Sequence, residues 1–102
     1  MPIHKISVTV DARAIRVTPD PLAMTSKDDV HWAGTGPRKF SIVFDDARVF
    51  GKRELTHAEA TSQQRPKVKG SFKYTVVAAD DPGLVLDPEI IITDPPTEPP
   101  NP

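Results

Sequence analysis

The chain has 102 residues, which is room for one domain with a single modest hydrophobic core. Thirteen lysines and arginines stand against fourteen aspartates and glutamates, so the formal net charge is -1. No global field therefore attracts nucleic acid or an anionic membrane. The absence of cysteine excludes disulfides, cysteine-ligated zinc, iron–sulfur clusters and thiol catalysis.

The first ten residues, MPIHKISVTV, contain polar residues throughout and lack the apolar segment of a signal peptide. Export of the chain as written is therefore not expected. The compartment stays open, with the cytoplasm favoured. No apolar run approaches the roughly 20 residues of a membrane-spanning helix, so no membrane association is predicted.

The N-terminal part of the chain predicts two short strands. Apolar and polar residues alternate in residues 6–10, which is the period of a strand with one buried face. After a turn, residues 14–18 predict a second strand, which stops at residues 19–21 because proline cannot donate to a strand ladder. Residues 22–27 are irregular or form a short strand.

The central part of the chain carries the clearest strand pattern. Residues 40–44, FSIVF, place three large apolar side chains on one face. Residues 30–32, VHW, are a short β-prone run just before it. Residues 33–39, which separate the two, are rich in glycine and contain a proline. The simplest interpretation is a β-hairpin with a longer loop.

A second aromatic strand is predicted within residues 68–77, where Phe72, Tyr74 and Val76 alternate with polar residues. Its apolar face and that of residues 40–44 are both too hydrophobic to leave in water. We therefore expect the two faces to cover each other as the two layers of a sandwich. The ring of Tyr74 should be buried, with its hydroxyl on a backbone group or water.

Between these strands the sequence predicts a loop and a short helix. Residues 46–52 predict a loop that places Phe50 against an end of the sandwich. Residues 54–65, ELTHAEATSQQR, are compatible with a helix of one to two turns, and a solvent-exposed loop is the alternative. Thr56 is the candidate N-cap, and Glu59 three residues later completes a capping box.

The C-terminal part predicts a turn, a strand and a tail. Residues 78–83 end in the turn sequence DDPG, and residues 84–86 are apolar. Residues 89–93 contain three consecutive isoleucines and predict a buried final strand. Residues 94–102, DPPTEPPNP, predict an extended, disordered proline-rich tail. The predicted domain covers residues 1–93.

About seven short strands with one helical insertion are typical of an all-β sandwich. The order of the motifs resembles the cupredoxin family. The shared motifs are an acidic turn into a V-x-W strand, an F-x-I-x-F strand, an irregular or helical stretch, and a late G-x-F-x-Y strand. They occupy residues 29–32, 40–44, 54–65 and 70–74. The closing LDPEIII is similar to the end of copper-free cupredoxin-like domains in bacterial proteins. The resemblance covers residues 6–93 and implies a Greek-key, cupredoxin-like β-sandwich.

The copper ligands of that family are missing from this chain. A blue-copper site needs a cysteine thiolate, two imidazoles and usually a weak thioether. The resemblance places the first histidine just before the F-x-I strand, where residues 37–39 read PRK. It places the cysteine at residues 76–77, VV, and the second histidine within residues 78–80, AAD. The resemblance therefore implies a copper-free member without a cofactor, whose two cations at residues 38 and 39 oppose a metal.

No other catalytic or metal-binding arrangement is evident in the sequence. His4, His31 and His57 are far apart, and none has the local spacing of a metal-ligand pair, so no shared metal site is predicted. An unorthodox copper or small-ligand carrier that uses His31, His57 or Met24 is the alternative. The chain has no G-x-S-x-G motif and no glycine-rich turn that leads into a helix, so we predict no enzyme activity.

Charge is unevenly distributed along the chain. Residues 48–73 contain seven basic and two acidic residues, whereas residues 80–102 contain six acidic residues and no basic one. The basic part is either a patch for an acidic protein partner or a solvated sheet face. No exposed aromatics interleave with the lysines, so no nucleic-acid partner is predicted. The predicted partner-binding residues are Arg65, Lys67, Lys69, Lys73, Arg38 and Lys39.

The sequence thus predicts a non-catalytic, metal-free module that acts by protein–protein binding, as a monomer or a weak homodimer. A structural dimerisation module is a further alternative to the ligand carrier. The identity of the partner is not encoded in any motif of the chain.

Overall fold

The computed structural model describes residues 3–95. Two sheets of strands pack face to face, with one short helix, which confirms the predicted all-β sandwich. Residues 3–95 contain nine strands where about seven were predicted, because residues 54–55 and 81–86 also pair within the larger sheet. In chain order the elements are β1 (Ile3–Val10), β2 (Ile15–Thr18), β3 (Leu22–Thr25), β4 (Asp29–Gly34), β5 (Phe40–Phe44), β6 (Glu54–Leu55), α1 (His57–Ala60), β7 (Gly70–Ala78), β8 (Asp81–Leu86) and β9 (Glu89–Thr93).

The smaller sheet has the strand order β2-β1-β4. β1 is antiparallel to β2 and parallel to β4, with Ile6 in register with Trp32. Ile6, Val8 and Trp32 are buried on the inner face, while the alternating Lys5 and His31 lie on the outer face. The alternation along β1 therefore gives this sheet one core face and one polar face.

The larger sheet has the order β3-β9-β7-β5-β6, and β8 also pairs with β7. β5 and β7 are antiparallel neighbours, with Phe44 in register with Tyr74 and Ile42 with Val76. The prediction that these two aromatic faces cover each other is wrong. Because the strands lie side by side in one sheet, their apolar faces point the same way, and the smaller sheet covers both.

The predicted hairpin between residues 30–32 and 40–44 is also wrong. β4 pairs with β1 in the smaller sheet, whereas β5 pairs with β6 and β7 in the larger one. Residues 35–39 carry the chain from one sheet to the other. Both strands have a large aromatic face to bury, and placing them in opposite layers lets those faces contact each other across the core.

Four aromatic rings form the centre of the core. The ring of Trp32 lies edge-on to those of Phe44, Phe50 and Tyr74, with centroid separations of 6.4, 5.9 and 5.6 Å. Phe50 enters from the predicted loop after β5, and its ring is buried against Trp32 and Phe44. The hydroxyl of Tyr74, which was predicted to contact a backbone group or water, accepts a hydrogen bond from Trp32 Nε1 at 3.3 Å.

The segment between β5 and β7 closes one side of the sandwich. Leu55 of β6 pairs with Ile42 of β5. The helix α1 begins two residues later and is shorter than the helix-compatible stretch of residues 54–65. The predicted capping box is present, since Thr56 and Glu59 bond reciprocally through side chain and backbone. Gln64 then forms an isolated bridge with Val30 of the smaller sheet.

The end of the chain is described only up to Pro95, so most of the predicted tail, residues 96–102, lies outside the described residues. Asp94, the first residue of that predicted tail, forms an ion pair with Lys69 at 2.8 Å. Within the described part of the chain, no helix has the length and apolar character needed to cross a membrane.

Candidate functional site

One end of the sandwich brings together the two stretches to which the cupredoxin resemblance assigns metal ligands. The residues before β5 meet the turn between β7 and β8, where the amide of Ala79 donates to the carbonyl of Lys39 at 3.0 Å. A shallow cavity of about 380 Å³ lies between them. It is lined by Pro37, Arg38, Lys39, Ala79 and Asp80.

An ion pair between Arg38 and Asp80 occupies this end. Arg38 Nε donates to Asp80 Oδ2 at 3.1 Å and Nη2 donates to Oδ1 at 2.7 Å, which is the bidentate geometry of a guanidinium on a carboxylate. A third bond runs from Nη1 to the carbonyl of Asp11 at 2.6 Å, in the turn between β1 and β2. Three segments of the chain are therefore joined through one side chain.

The charges of this pair stabilise each other. Hydrogen bonds from Arg38 hold the pKa of the Asp80 carboxyl below its usual value, and the same contact raises the pKa of Arg38. Both groups are therefore ionised at neutral pH. The guanidinium engages both carboxylate oxygens of Asp80, so this side chain is not free to bind a metal cation.

The positions that the resemblance assigns to the later copper ligands carry no donor group. Val76 and Ala78 are buried on the inner face of β7, and Val77 is half-buried on the outer face. Ala79 and Asp80 form the turn into β8. Thiolate and imidazole are replaced here by aliphatic side chains and the carboxylate of the ion pair.

An imidazole lies beside the start of β5, but its inward nitrogen is already used. His57 Nδ1 accepts a hydrogen bond from the backbone amide of Phe40 at 3.2 Å, and the two rings meet edge to face at 4.8 Å. The amide hydrogen requires a lone pair on Nδ1, so that nitrogen is not free for a metal.

The residues proposed for an unorthodox carrier are not brought together. Met24 is buried in the core from β3, whereas His31 lies on the outer face of the smaller sheet. His4 contacts Asp28 at 2.9 Å, and this bond together with the Thr25 amide lowers the pKa of the Asp28 carboxyl. Residues 3–95 contain no group of three or more His, Cys, Asp or Glu side chains that could hold a metal ion.

The predicted basic residues do not all lie at one end of β7. Arg38 and Lys39 lie next to Ala78, at its C-terminal end, whereas Lys69 immediately precedes Gly70, at its N-terminal end. Eight residue steps separate these ends, or about 26 Å at ~3.3 Å per residue. The six residues therefore do not form one continuous patch.

Half of these basic residues are held in ion pairs. Arg38 contacts Asp80, Arg65 Nε contacts Asp29 Oδ1 at 2.8 Å, and Lys69 contacts Asp94. The remaining three have no carboxylate within 4.0 Å in the described part of the chain; they are Lys39, Lys67 and Lys73.

The sequence interpretation missed β8. Residues 78–83 were predicted to be a turn, but the turn comprises only residues 79–80 and strand pairing resumes at Asp81. Val85, in register with Val77, has 48% of its surface exposed. The signal was present, since residues 84–86 are a short continuous apolar run next to turn residues, a pattern that is consistent with a strand.

The fold and this site define a class: an all-β sandwich of cupredoxin type in which the end expected to hold metal carries an arginine–aspartate pair. Among solved structures, the chain is similar to the reduced, Cu(I) form of an amicyanin variant at pH 4. The TM-score is 0.52 at 13% sequence identity, over 86% of this chain and 81% of amicyanin. Amicyanin is a cupredoxin, so the match supports the cupredoxin-like fold.

The sequence matches no known protein family and no curated protein. The likeness to amicyanin is therefore one of fold alone, and the bound copper is a property of amicyanin.

Proposed function

We propose that this chain is a non-catalytic, copper-free cupredoxin-like domain that acts by binding another protein. The observation that carries the proposal is β8, a strand that pairs with β7 on one side and has no strand on its other side among residues 3–95. Backbone groups on such an edge are free to pair with another chain.

The side chains of β8 support the same function. Val85 and Ile3 are the two large hydrophobic residues that are strongly exposed in the described part of the chain, at 48% and 51%. Natural edge strands are usually protected by charge or proline. Charge and proline stand at the two ends of β8, as Asp81 and Pro82 at its start and as Asp87 and Pro88 just after it, whereas residues 84–86 between them are apolar.

The end that holds copper in blue-copper cupredoxins supports the copper-free part of the proposal. The bidentate bond from Arg38 engages both oxygens of the Asp80 carboxylate at this end, and Val76 is a buried aliphatic residue where a thiolate would be needed. A fold can be retained after its site has been lost, with function moved to another surface.

Site-specific crosslinking tests this function. A photoreactive amino acid is placed at Val85 and, in a matched control, at Ile3, which is equally exposed but lies in the other sheet. We expect a discrete protein adduct from position 85, and a loss of binding of at least tenfold when the purified partner meets the Val85→Lys variant. The absence of an adduct at both positions, with the fold intact, would argue against a binding module.

The second candidate function is the binding of an acidic protein by the basic part of the chain, residues 48–73. Lys67 and Lys73 in this part are exposed and have no ion-pair partner within residues 3–95. Replacing both with glutamate would then abolish partner binding. The matched change Lys69→Glu would also break the ion pair with Asp94, which makes it a control for structural effects.

A further inference from the structure

The free side of β8 opens onto an apolar seam between the two sheets. β2 is the outermost strand of the smaller sheet on this side, and it contacts β8 of the larger one. The seam is lined by Val17 from β2 and by Leu84 and Leu86 from β8, which pack against the core but are only partly buried. Core-facing side chains that remain partly exposed at unpaired edges would lose further contact with water if another strand were added.

The two faces of an added strand would both meet apolar surface. Leu84 and Leu86 face the seam, while Val85 points to the outer face of the larger sheet. Because side chains alternate along a strand, a guest segment that pairs with residues 84–86 would place successive side chains against these two surfaces.

Acidic residues stand at both ends of this edge. Asp81 begins β8 and Asp87 follows it. Asp81 is in register with Ala78 of β7, and Asp87 accepts a hydrogen bond from Thr75, so the two aspartates lie about 10 Å apart along β7 at ~3.3 Å per residue. Neither is in an ion pair with another described residue: Asp81 Oδ1 accepts from the amide of Gly83, and Asp87 Oδ1 accepts from Thr75 Oγ1 at 2.7 Å. Residues 80–95 include no lysine or arginine.

These charges discriminate between possible guests. Two copies of the chain joined through antiparallel β8 strands would bring Asp81 of each copy towards Asp87 of the other, so like charges would meet at both ends. An extended segment of another protein with basic residues at its ends would instead form opposite-charge pairs there. The arrangement therefore favours a basic guest over a second copy.

We infer that the β8 edge is a docking site for an extended segment of another protein, apolar at its centre and basic at both ends, which adds a strand beside residues 84–86. This inference rests on the proposed binding function and specifies the partner. The guest bonds to β8 through its backbone, inserts alternate side chains into the seam, and pairs its terminal cations with Asp81 and Asp87.

A blocked five-residue peptide tests the inference, with lysine at each end and valine, threonine and valine between them. We expect saturable one-to-one binding to the intact chain by nuclear magnetic resonance titration. Slowed hydrogen exchange should be confined to residues 84–86 and their neighbours. The same peptide with glutamate at both ends should bind at least tenfold more weakly, as should a version methylated on alternate backbone nitrogens.

Two variants distinguish peptide binding at the β8 edge from binding elsewhere on the surface. Val85→Lys should weaken peptide binding at least tenfold, whereas Ile3→Lys on the smaller sheet should not change it. Equal binding of the basic and acidic peptides, equal binding to Val85→Lys and the parent chain, or no binding at millimolar peptide would each overturn the inference. A partner that crosslinks elsewhere on the domain would leave the proposed binding function intact and remove only this site.

Discussion

Trp32 and Tyr74 join the two sheets of the sandwich through a hydrogen bond and a ring contact. The indole Nε1 donates to the phenol oxygen at 3.3 Å, and the ring planes meet at 78° with centroids 5.6 Å apart. Both rings are buried, one in each layer. The indole N–H, a buried donor, is therefore paired with an acceptor, which avoids the cost of leaving it unsatisfied.

Removing the indole should strongly destabilise the domain. Trp32→Ala leaves a cavity beside three aromatic rings, and we expect the free energy of unfolding to fall by about 3–5 kcal/mol. Trp32→Phe keeps a ring but removes the donor to Tyr74, so it should cost less than the alanine change. Denaturant unfolding followed by circular dichroism measures both.

An exposed valine provides the control, since Val85→Thr should change stability by less than about 0.5 kcal/mol. An unchanged unfolding midpoint in Trp32→Ala would mean that the ring is not part of the core.

The ionisation of Tyr74 should make the fold sensitive to high pH. Burial raises the pKa of its phenol from 10.0 to about 12. Below pH 10 the phenol is neutral in both the folded and the unfolded chain, so its full contribution is present. As the pH rises towards 12 the unfolded chain ionises first, and about 3 kcal/mol of stability is lost, at ~1.4 kcal/mol for each tenfold change in proton affinity.

The chain has one tyrosine, so tyrosinate absorbance reports this group alone. The loss of stability should be smaller in Tyr74→Phe, which retains the ring and lacks the ionisable hydroxyl. A tyrosine that titrates in the folded protein as it does in a free peptide would contradict its burial.

The ion pair between Arg38 and Asp80 should stabilise the folded domain to an extent that depends on the salt concentration. Asp80→Asn removes the charge that holds the guanidinium, so the melting temperature should fall at low salt. The difference from the parent chain should shrink as salt is added, because exposed charges are screened. The pKa of Asp80 lies below its usual value, so the contribution is present at neutral pH and is lost as the pH falls through that lowered pKa.

Asp87→Asn is the matched control for this experiment. Asp87 bonds to the Thr75 hydroxyl and has no cation within 4.0 Å among residues 3–95, so its removal should show little dependence on salt. Equal salt dependence of the two variants would show that the Arg38 contact is not responsible.

Copper should find no blue-copper site in this chain. Titration with Cu(II) or Cu(I) should produce neither a thiolate charge-transfer absorption nor saturable one-to-one binding, because the chain has no cysteine and its histidines are dispersed. One-to-one binding at micromolar concentrations that is lost in His31→Ala or His57→Ala would instead favour the carrier alternative. His4→Ala is the control for weak surface binding.

Local patterns were sufficient for the parts of the fold that depend on neighbouring residues. The alternation of residues 40–44 identifies a strand and its buried face, and Thr56 with Glu59 identifies the start of the helix. Both features are set by side chains within one strand or one helical turn. The candidate site was only half predicted: the loss of the metal ligands is visible in residues 37–39 and 76–80, but the pairing of Arg38 with Asp80, 42 residues apart, is not.

By itself, the sequence determined that this chain is an all-β domain without thiol chemistry, because residue composition and period-two alternation are properties of the chain in one dimension. Only the tertiary structure decided that β4 lies beside β1 rather than β5, that the basic residues are separated and partly neutralised, and that β8 has an open edge. The physical reason is that alternation specifies which face of a strand is buried, whereas the identity of its neighbour depends on backbone hydrogen bonds and packing between residues far apart in the chain.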